Sequence, residues 1–347
     1  MVCQKANFCG CNIIIEGSKI RAKYWLLIML VSASLLPASQ ALAAQDIEKD
    51  PDAEIARGIA KVKILNLGKA AQIAYDERDI VPAVKHSDAI FEIVENMAAE
   101  TGSDRAKIFT THAVELHKVG YFFAAERLFY TAYRINAVEL GEHHPYTLSS
   151  LNNLASNLNA QGRSAEAAIH YQEVLDFRTL ILGSRDPLTI NSLANLGYTY
   201  GQQGQLTKAR ELLERALTLN EEVRGRDDVE NAKFMILLAD VLGNKKFVSE
   251  SEAYLRVALK ILNASNGPYH EDTMSCLHRL GTNLSMQKKY SEAEPYFYHA
   301  WTRREIKLGK ESEATLRSKE GLIASLKNQG LQQEVAKILG VAEEVIH

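Results

Sequence analysis

Apolar positions along the chain fall into two alternating helical stripes, and the pattern returns every 42 residues. Between Gly141 and Leu182, Leu148, Leu151, Leu154, Ala155 and Leu158 recur at the spacing of one helix face. Gly162 interrupts them, and Ala167, Tyr171, Val174, Leu175 and Leu182 mark out a second face. The spacing predicts two antiparallel helices joined by a short turn. Pro145 suits the first turn of the first helix, where a missing N–H costs nothing. Gly183 suits the C-terminal cap of the second, and Asp186-Pro187 restarts the pattern with an N-cap and a first-turn proline.

Two glycine ladders hold this period. Gly141, Gly183, Gly225, Gly267 and Gly309 stand 42 residues apart, and Gly120, Gly162 and Gly204 run in phase, followed by Lys246, Lys288 and Gly330. Small residues recur with them: Ala155, Gly197, Ala239 and Gly281 in the first helices, Ala167, Ala209, Ser251 and Ala293 in the second. Helices approach closely only where side chains are small, and Leu154, Leu196, Leu238 and Leu280 fill the space beside them. One helix pair cannot bury both of its faces, so the pairs must stack into an all-α solenoid.

The blocks that begin at Leu151 (LNNLASNLNAQGRSAEAAIHYQEVL), Leu193 (LANLGYTYGQQGQLTKARELLERAL) and Leu277 (LHRLGTNLSMQKKYSEAEPYFYHAW) resemble tetratricopeptide repeats. The 42-residue period exceeds the usual ~34 and, with the endings Leu182-Gly183 and Leu308-Gly309, is similar to the kinesin light chain type. The block from Met235 departs by carrying Lys246 at its turn. The resemblance implies a right-handed superhelical solenoid of antiparallel helix pairs. It divides the chain into a leader (1–43), a degenerate N-terminal repeat (50–101, with Asp79 in place of a turn glycine), the repeats proper (102–309) and C-terminal capping helices (310–347). The coiled-coil heptads of kinesin light chain are missing, which separates this chain from a motor subunit.

The resemblance also implies that the first helix of each pair lines a concave groove. The residue before each packing leucine then faces inward, which places Asn153, Asn195, Leu237 and Arg279 there, with Asn152, Asn191, Tyr198, Lys233 and His278 beside them. Asparagine donates and accepts together, so it can hold the backbone of an extended peptide without demanding a side-chain type.

Composition narrows the function further. The chain is 46% hydrophobic and 24% charged, with a net charge of −3, which leaves no electrostatic footprint for nucleic acid. Lys19, Arg21 and Lys23 precede the apolar stretch from Tyr24 to Leu36, Pro37 breaks it, and Ala41-Leu42-Ala43 offers small residues for cleavage. This is the pattern of a secretory signal peptide cut near Ala43; the competing reading is a retained membrane anchor, for which the stretch is short. Removal takes away Lys5, Lys19, Arg21 and Lys23 against Glu16, and the charge becomes −6. Cys3, Cys9 and Cys11 leave with the leader, so Cys276 stays unpaired and is expected to be a buried small hydrophobe.

No catalytic motif of the GxSxG, Walker, HExxH or GxGxxG kind occurs. His143-His144 precedes Pro145 and is expected to form a helix-entry turn, and the Glu221-Glu222 and Asp227-Asp228 pairs are expected to be solvated surface. Phe297 is expected in the core place of Tyr171 and Leu213, with Tyr296 and Tyr298 free to face outward. The sequence therefore points to an exported, non-enzymatic scaffold without metal or cofactor, resident in a bacterial periplasm or outside the cell, that binds a peptide or protein segment and meets a membrane only through its leader. The alternative is a structural subunit or assembly factor of an envelope or secretion complex that binds through convex faces and ends.

Overall fold

The computed structural model describes residues 51–101, 104–243 and 247–340. The leader and Lys246 lie outside these residues. Among the described residues there are helices and no strand. After α1 (Pro51–Asp76) and α2 (Ile80–Thr101) the helices come in pairs: α3 (Arg105–Lys118) with α4 (Phe122–Leu140), and α5 (Pro145–Ala160) with α6 (Ser164–Leu182). Then follow α7 (Pro187–Gln202) with α8 (Leu206–Arg224), α9 (Val229–Val241) with α10 (Val248–Ser265), α11 (Glu271–Met286) with α12 (Tyr290–Leu308), and α13 (Glu313–Asn328) with α14 (Gln332–Leu339). Two compact units divide inside α1, between Lys63 and Ile64, and the larger one, Ile64–His347, holds the repeats.

From α2 to α13 each helix packs on its successor, and first helices also touch first helices (α5 with α7, α7 with α9, α11 with α13). This is the all-α solenoid that the period requires. The small-residue ladder is its spine. Ala83, Ala125, Ala167, Ala209, Ser251, Ala293 and Val335 are all buried. A Cβ added to Gly197 would lie 3.0 Å from the Leu213 Cγ and 3.2 Å from the Ala209 carbonyl oxygen, so the helices of that pair meet almost backbone to backbone. Ser251 keeps the close approach by donating to the Ala239 carbonyl at 2.9 Å. Tyr171, Leu213 and Phe297 are buried at matching positions, as expected. Cys276 is buried, its thiol 3.5 Å from the Leu255 carbonyl and pushed up to about 12 by burial.

The turns refine the expectations. Gly183 ends α6 with φ 86° and ψ 162°, an extended backbone with positive φ that is open essentially to glycine alone, rather than the left-handed helical cap. His144 caps α5 by accepting from the Tyr146 N–H at 3.2 Å, and Asp186 caps α7 by accepting from Leu188 at 2.8 Å. Asp228 is a correction: instead of lying in solvent, it caps α9 and also accepts from the Asn220 amide at 3.1 Å. The turn glycine expected between α1 and α2 is replaced by Arg78, not Asp79. Arg78 holds φ 62°, as Lys288 does at the matching turn of a later pair.

Candidate functional site

Successive first helices lie side by side, so residues 42 apart form rows across them. Asn152 and Asn153 on α5, Asn191 and Asn195 on α7, and Lys233 on α9 converge on one cavity of about 430 Å³. The Asn195 side-chain amide donates to the Asn152 carbonyl at 3.2 Å across the two helices. Asn153 and Asn191 lie beside that pair in the same cavity. Leu237 stands where Asn153 and Asn195 stand in earlier pairs and, with Phe234, closes the cavity with an apolar wall. The Lys233 ammonium pairs with Glu230 at 2.6 Å, which offsets its charge at the rim.

Arg178 reaches this cavity from behind. It sits on the second helix α6 and is only 5% exposed. Its guanidinium donates to the Ser192 hydroxyl at 2.8 Å, the Ser149 hydroxyl at 3.2 Å and the Leu188 carbonyl at 3.2 Å, tying α6 to α5 and α7. Burial pushes its pKa down. Asp186 opposes that, but its carboxylate already caps α7. Arg304 repeats the arrangement with Ser318 at 2.7 Å, Ser275 at 3.1 Å and the Ala314 carbonyl at 3.1 Å. Sequence reasoning on first helices alone missed Arg178. The available signal was a pair of serines at the same offsets from both arginines, 29 residues before and 14 after.

The other three candidates lie apart from the cavity. Tyr198 is half-buried, and burial followed by the Asp240 charge pushes its phenol up. Arg279 donates to both Asp240 oxygens, at 3.0 and 3.3 Å, and so bridges α11 to α9. His278 lies edge-on to the Phe297 ring, centroids 5.4 Å apart, with its Nδ1 3.4 Å from the Ser318 hydroxyl. Burial, then the charges of Arg304, Arg279 and Arg317, push its pKa down to about 4, so it is neutral at pH 7.

Neutral amides in a row suit an extended chain. Each can accept from one backbone N–H and donate to one carbonyl, and the Leu237–Phe234 wall can take one apolar side chain. Among the described residues no cluster of His, Cys, Asp or Glu is placed to hold a metal, and no helix is long and apolar enough to cross a membrane.

The tetratricopeptide repeat family model matches residues 104–180, 154–222 and 230–305. Among solved structures, BtubC (BKLC) from P. vanneervenii is 22% identical over 62% of this chain and 88% of its own, with a TM-score of 0.53. A putative kinesin light chain from Podosopora anserina, with nearly identical TPR-like repeats, is 21% identical over 59% of this chain and 97% of its own, TM-score 0.48. A Rap protein complexed with Competence and Sporulation Factor is 12% identical over 77% of this chain and 74% of its own, TM-score 0.46. No curated protein matches the chain. With repeat models laid over more than half of its length, the chain belongs to the tetratricopeptide repeat family, whose solenoid fold is typical of protein-binding scaffolds.

Proposed function

We propose that this protein is an exported, non-enzymatic scaffold that holds an extended segment of a partner in the groove along α5, α7 and α9. The observation that carries the reading is the convergence of Asn152, Asn153, Asn191, Asn195 and Lys233 on one cavity. Export is supported by the basic, apolar and small-residue order of residues 19–43 and by the single cysteine left after it.

The test starts with a pull-down from the envelope fraction and identification of what co-purifies. Asn153→Ala with Asn195→Ala is then titrated beside wild type, with helicity checked in both. Asn195→Ala also frees the Asn152 carbonyl, so it disturbs two amides at once. Each lost backbone hydrogen bond is worth roughly 0.5–1.5 kcal/mol. The pair should therefore weaken binding by about tenfold to a hundredfold. Equal affinities would move the contact off the first-helix face. N-terminal sequencing of the exported protein checks the leader separately: the chain should begin near Ala44.

A further inference from the structure

The second-helix side of the stack carries a site of its own. From α4 onward, second helices of successive pairs are spaced by the first helix between them, which leaves a slot at each step. The same position recurs on the second helices beside these slots: His170 on α6, Leu212 on α8, Tyr254 on α10 and Tyr296 on α12, each 42 residues after the last. Tyr254 packs against two neighbouring core clusters at once. Tyr296 accepts a hydrogen bond from Arg256, on the preceding second helix, at 2.9 Å. The Nδ1 of His170 is wholly buried. Three of the four positions therefore plug their slot with a ring that has a polar edge. Leu212 does not, and a cavity of about 490 Å³ opens between α6 and α8.

That cavity has the make-up of a ligand site rather than a packing gap. Its size falls in the usual range for small-ligand pockets of roughly 300–1,000 Å³. Leu193 and Leu196 of α7, both buried, lie at its base. Thr189 is 3% exposed, lines the cavity, and its hydroxyl finds no partner. The matching Thr147 and Thr273 donate to the carbonyls of Gly141 and Gly267 at 2.7 and 2.9 Å; Thr315 shares the lack. Gln172 occupies the place that Arg256 holds in the Tyr296 slot, and its amide, now donating to Asp176 at 2.8 Å, can serve a phenol. The charges around the opening balance, Asp176 and Glu211 against Lys208 and Arg215, which favours a neutral ring over an ion.

We propose that the slot between α6 and α8 is a binding site for a tyrosine side chain carried by a partner protein, seated as Tyr254 and Tyr296 are seated in the sister slots. The occupant is a tyrosine side chain because the sister slots hold tyrosine rings of this chain, Tyr254 and Tyr296, each carried by the second helix that flanks its slot. The site is independent of the asparagine groove.

The test uses the full exported chain with methyl-labelled Leu and Thr, titrated by N-acetyl-tyrosinamide and, separately, by p-cresol. Both should give saturable shifts with a dissociation constant of about 1–10 mM, the range for a ligand of this size. Ring-to-methyl Overhauser contacts should reach Leu193 and Leu196. Leu212→Tyr supplies the missing plug and should weaken both ligands at least about tenfold, which is roughly 1.4 kcal/mol. No contact at Leu193 or Leu196 in wild type by about 10 mM overturns the site without need of any variant. Undiminished binding in a folded Leu212→Tyr does the same. Binding of p-cresol without N-acetyl-tyrosinamide overturns the protein source and leaves a pocket for a free phenol.

Discussion

Residues 144–199 and 270–325 are two builds of one scaffold, three repeats apart, and they differ where a ligand would meet them. His144 and His270 cap their helices by the same 3.2 Å bond. Asn157 and Asn283 donate to the carbonyls of Phe122 and Val248, at 2.9 and 3.1 Å. Arg178 and Arg304 sit in the same pair of serines and one carbonyl. Yet Asn152, Asn153, Asn191 and Asn195 are matched by His278, Arg279, Arg317 and Gly321. The second build fills its own groove: Arg279 goes to Asp240, Arg317 to Glu313, and the Phe297 ring takes the room beside Gly321, where a Cβ would come within 2.5 Å of it. Residues whose partners are other helices repeat faithfully because the stack demands them. Residues that face the groove are released from that demand, so they are free to diverge between the two builds.

The largest effect should be common to both builds. Ala167 and Ala293 are fully buried at matching contacts between helices, and Ala209 lies between them in the stack. Leucine at any of the three overpacks the contact, typically at about 1–3 kcal/mol. Each kcal/mol lowers the melting temperature of a chain this size by roughly 2–4 °C. Ala167→Leu and Ala293→Leu should lose similar amounts in differential scanning calorimetry. A clear loss in one and none in the other would break the equivalence on which the comparison stands.

The fold was legible because solenoid physics is written locally: small residues at one period, caps at the same period, and apolar faces between them. The groove was partly legible. The asparagines lie on first helices at positions fixed by the packing leucines, and five of the eight polar candidates meet at one cavity. What the period could not tell was how long side chains choose partners. Arg279 and His278 stand in the rows of Asn153 and Asn152, but an arginine can reach a carboxylate one pair away, and a histidine can turn onto a ring. Arg178 was hidden for the same reason, since it reaches the first-helix face from the second helix. The Arg78 turn was misplaced by one residue because no glycine marks it.

The acid side of the stability curve should separate the two builds. Burial and the charges of Arg304, Arg279 and Arg317 depress the His278 pKa to about 4 in the folded chain, against about 6.5 when unfolded. A depressed folded value means that the unfolded chain binds the extra proton first. This contribution to stability is thus complete above about pH 6.5, falls as pH drops from there to about 4, and is gone below that. Glu252, held down to about 2 against its own burial by Lys289, Gln287 and Arg256, acts in a lower window, from about 4.5 to 2. His278→Asn places in the second build the residue found in the first. Its melting temperature should fall less than wild type between pH 6.5 and 4 and in parallel below 4. Parallel curves across the upper window would mean that His278 does not titrate as its surroundings require.

The smallest effect concerns one turn in each build. Gly162 holds φ 77°, and its counterpart Lys288 holds φ 62°. A left-handed backbone costs a side-chain-bearing residue roughly 1–2 kcal/mol, because Cβ crowds the following carbonyl. Glycine escapes that strain but loses more backbone freedom on folding, about 0.5–1 kcal/mol relative to alanine. The two terms oppose each other, and their difference sets the sign. Lys288→Gly should therefore stabilise by at most about 1 kcal/mol, and Gly162→Lys should destabilise by a similar amount. Lys288 is exposed and enters no ion pair among the described residues, whereas its neighbour Lys289 holds Glu252 at 3.0 Å, so the exchange at 288 leaves that contact in place. Urea denaturation of the two variants beside wild type gives the measurement, with equal slopes required for the midpoints to be compared. Opposite shifts of similar size would show that the two turns carry the same geometry and differ only in strain. A Lys288→Gly protein less stable than wild type would mean that the later turn has relaxed around its lysine, and the two builds would then be distinct in backbone as well as in groove.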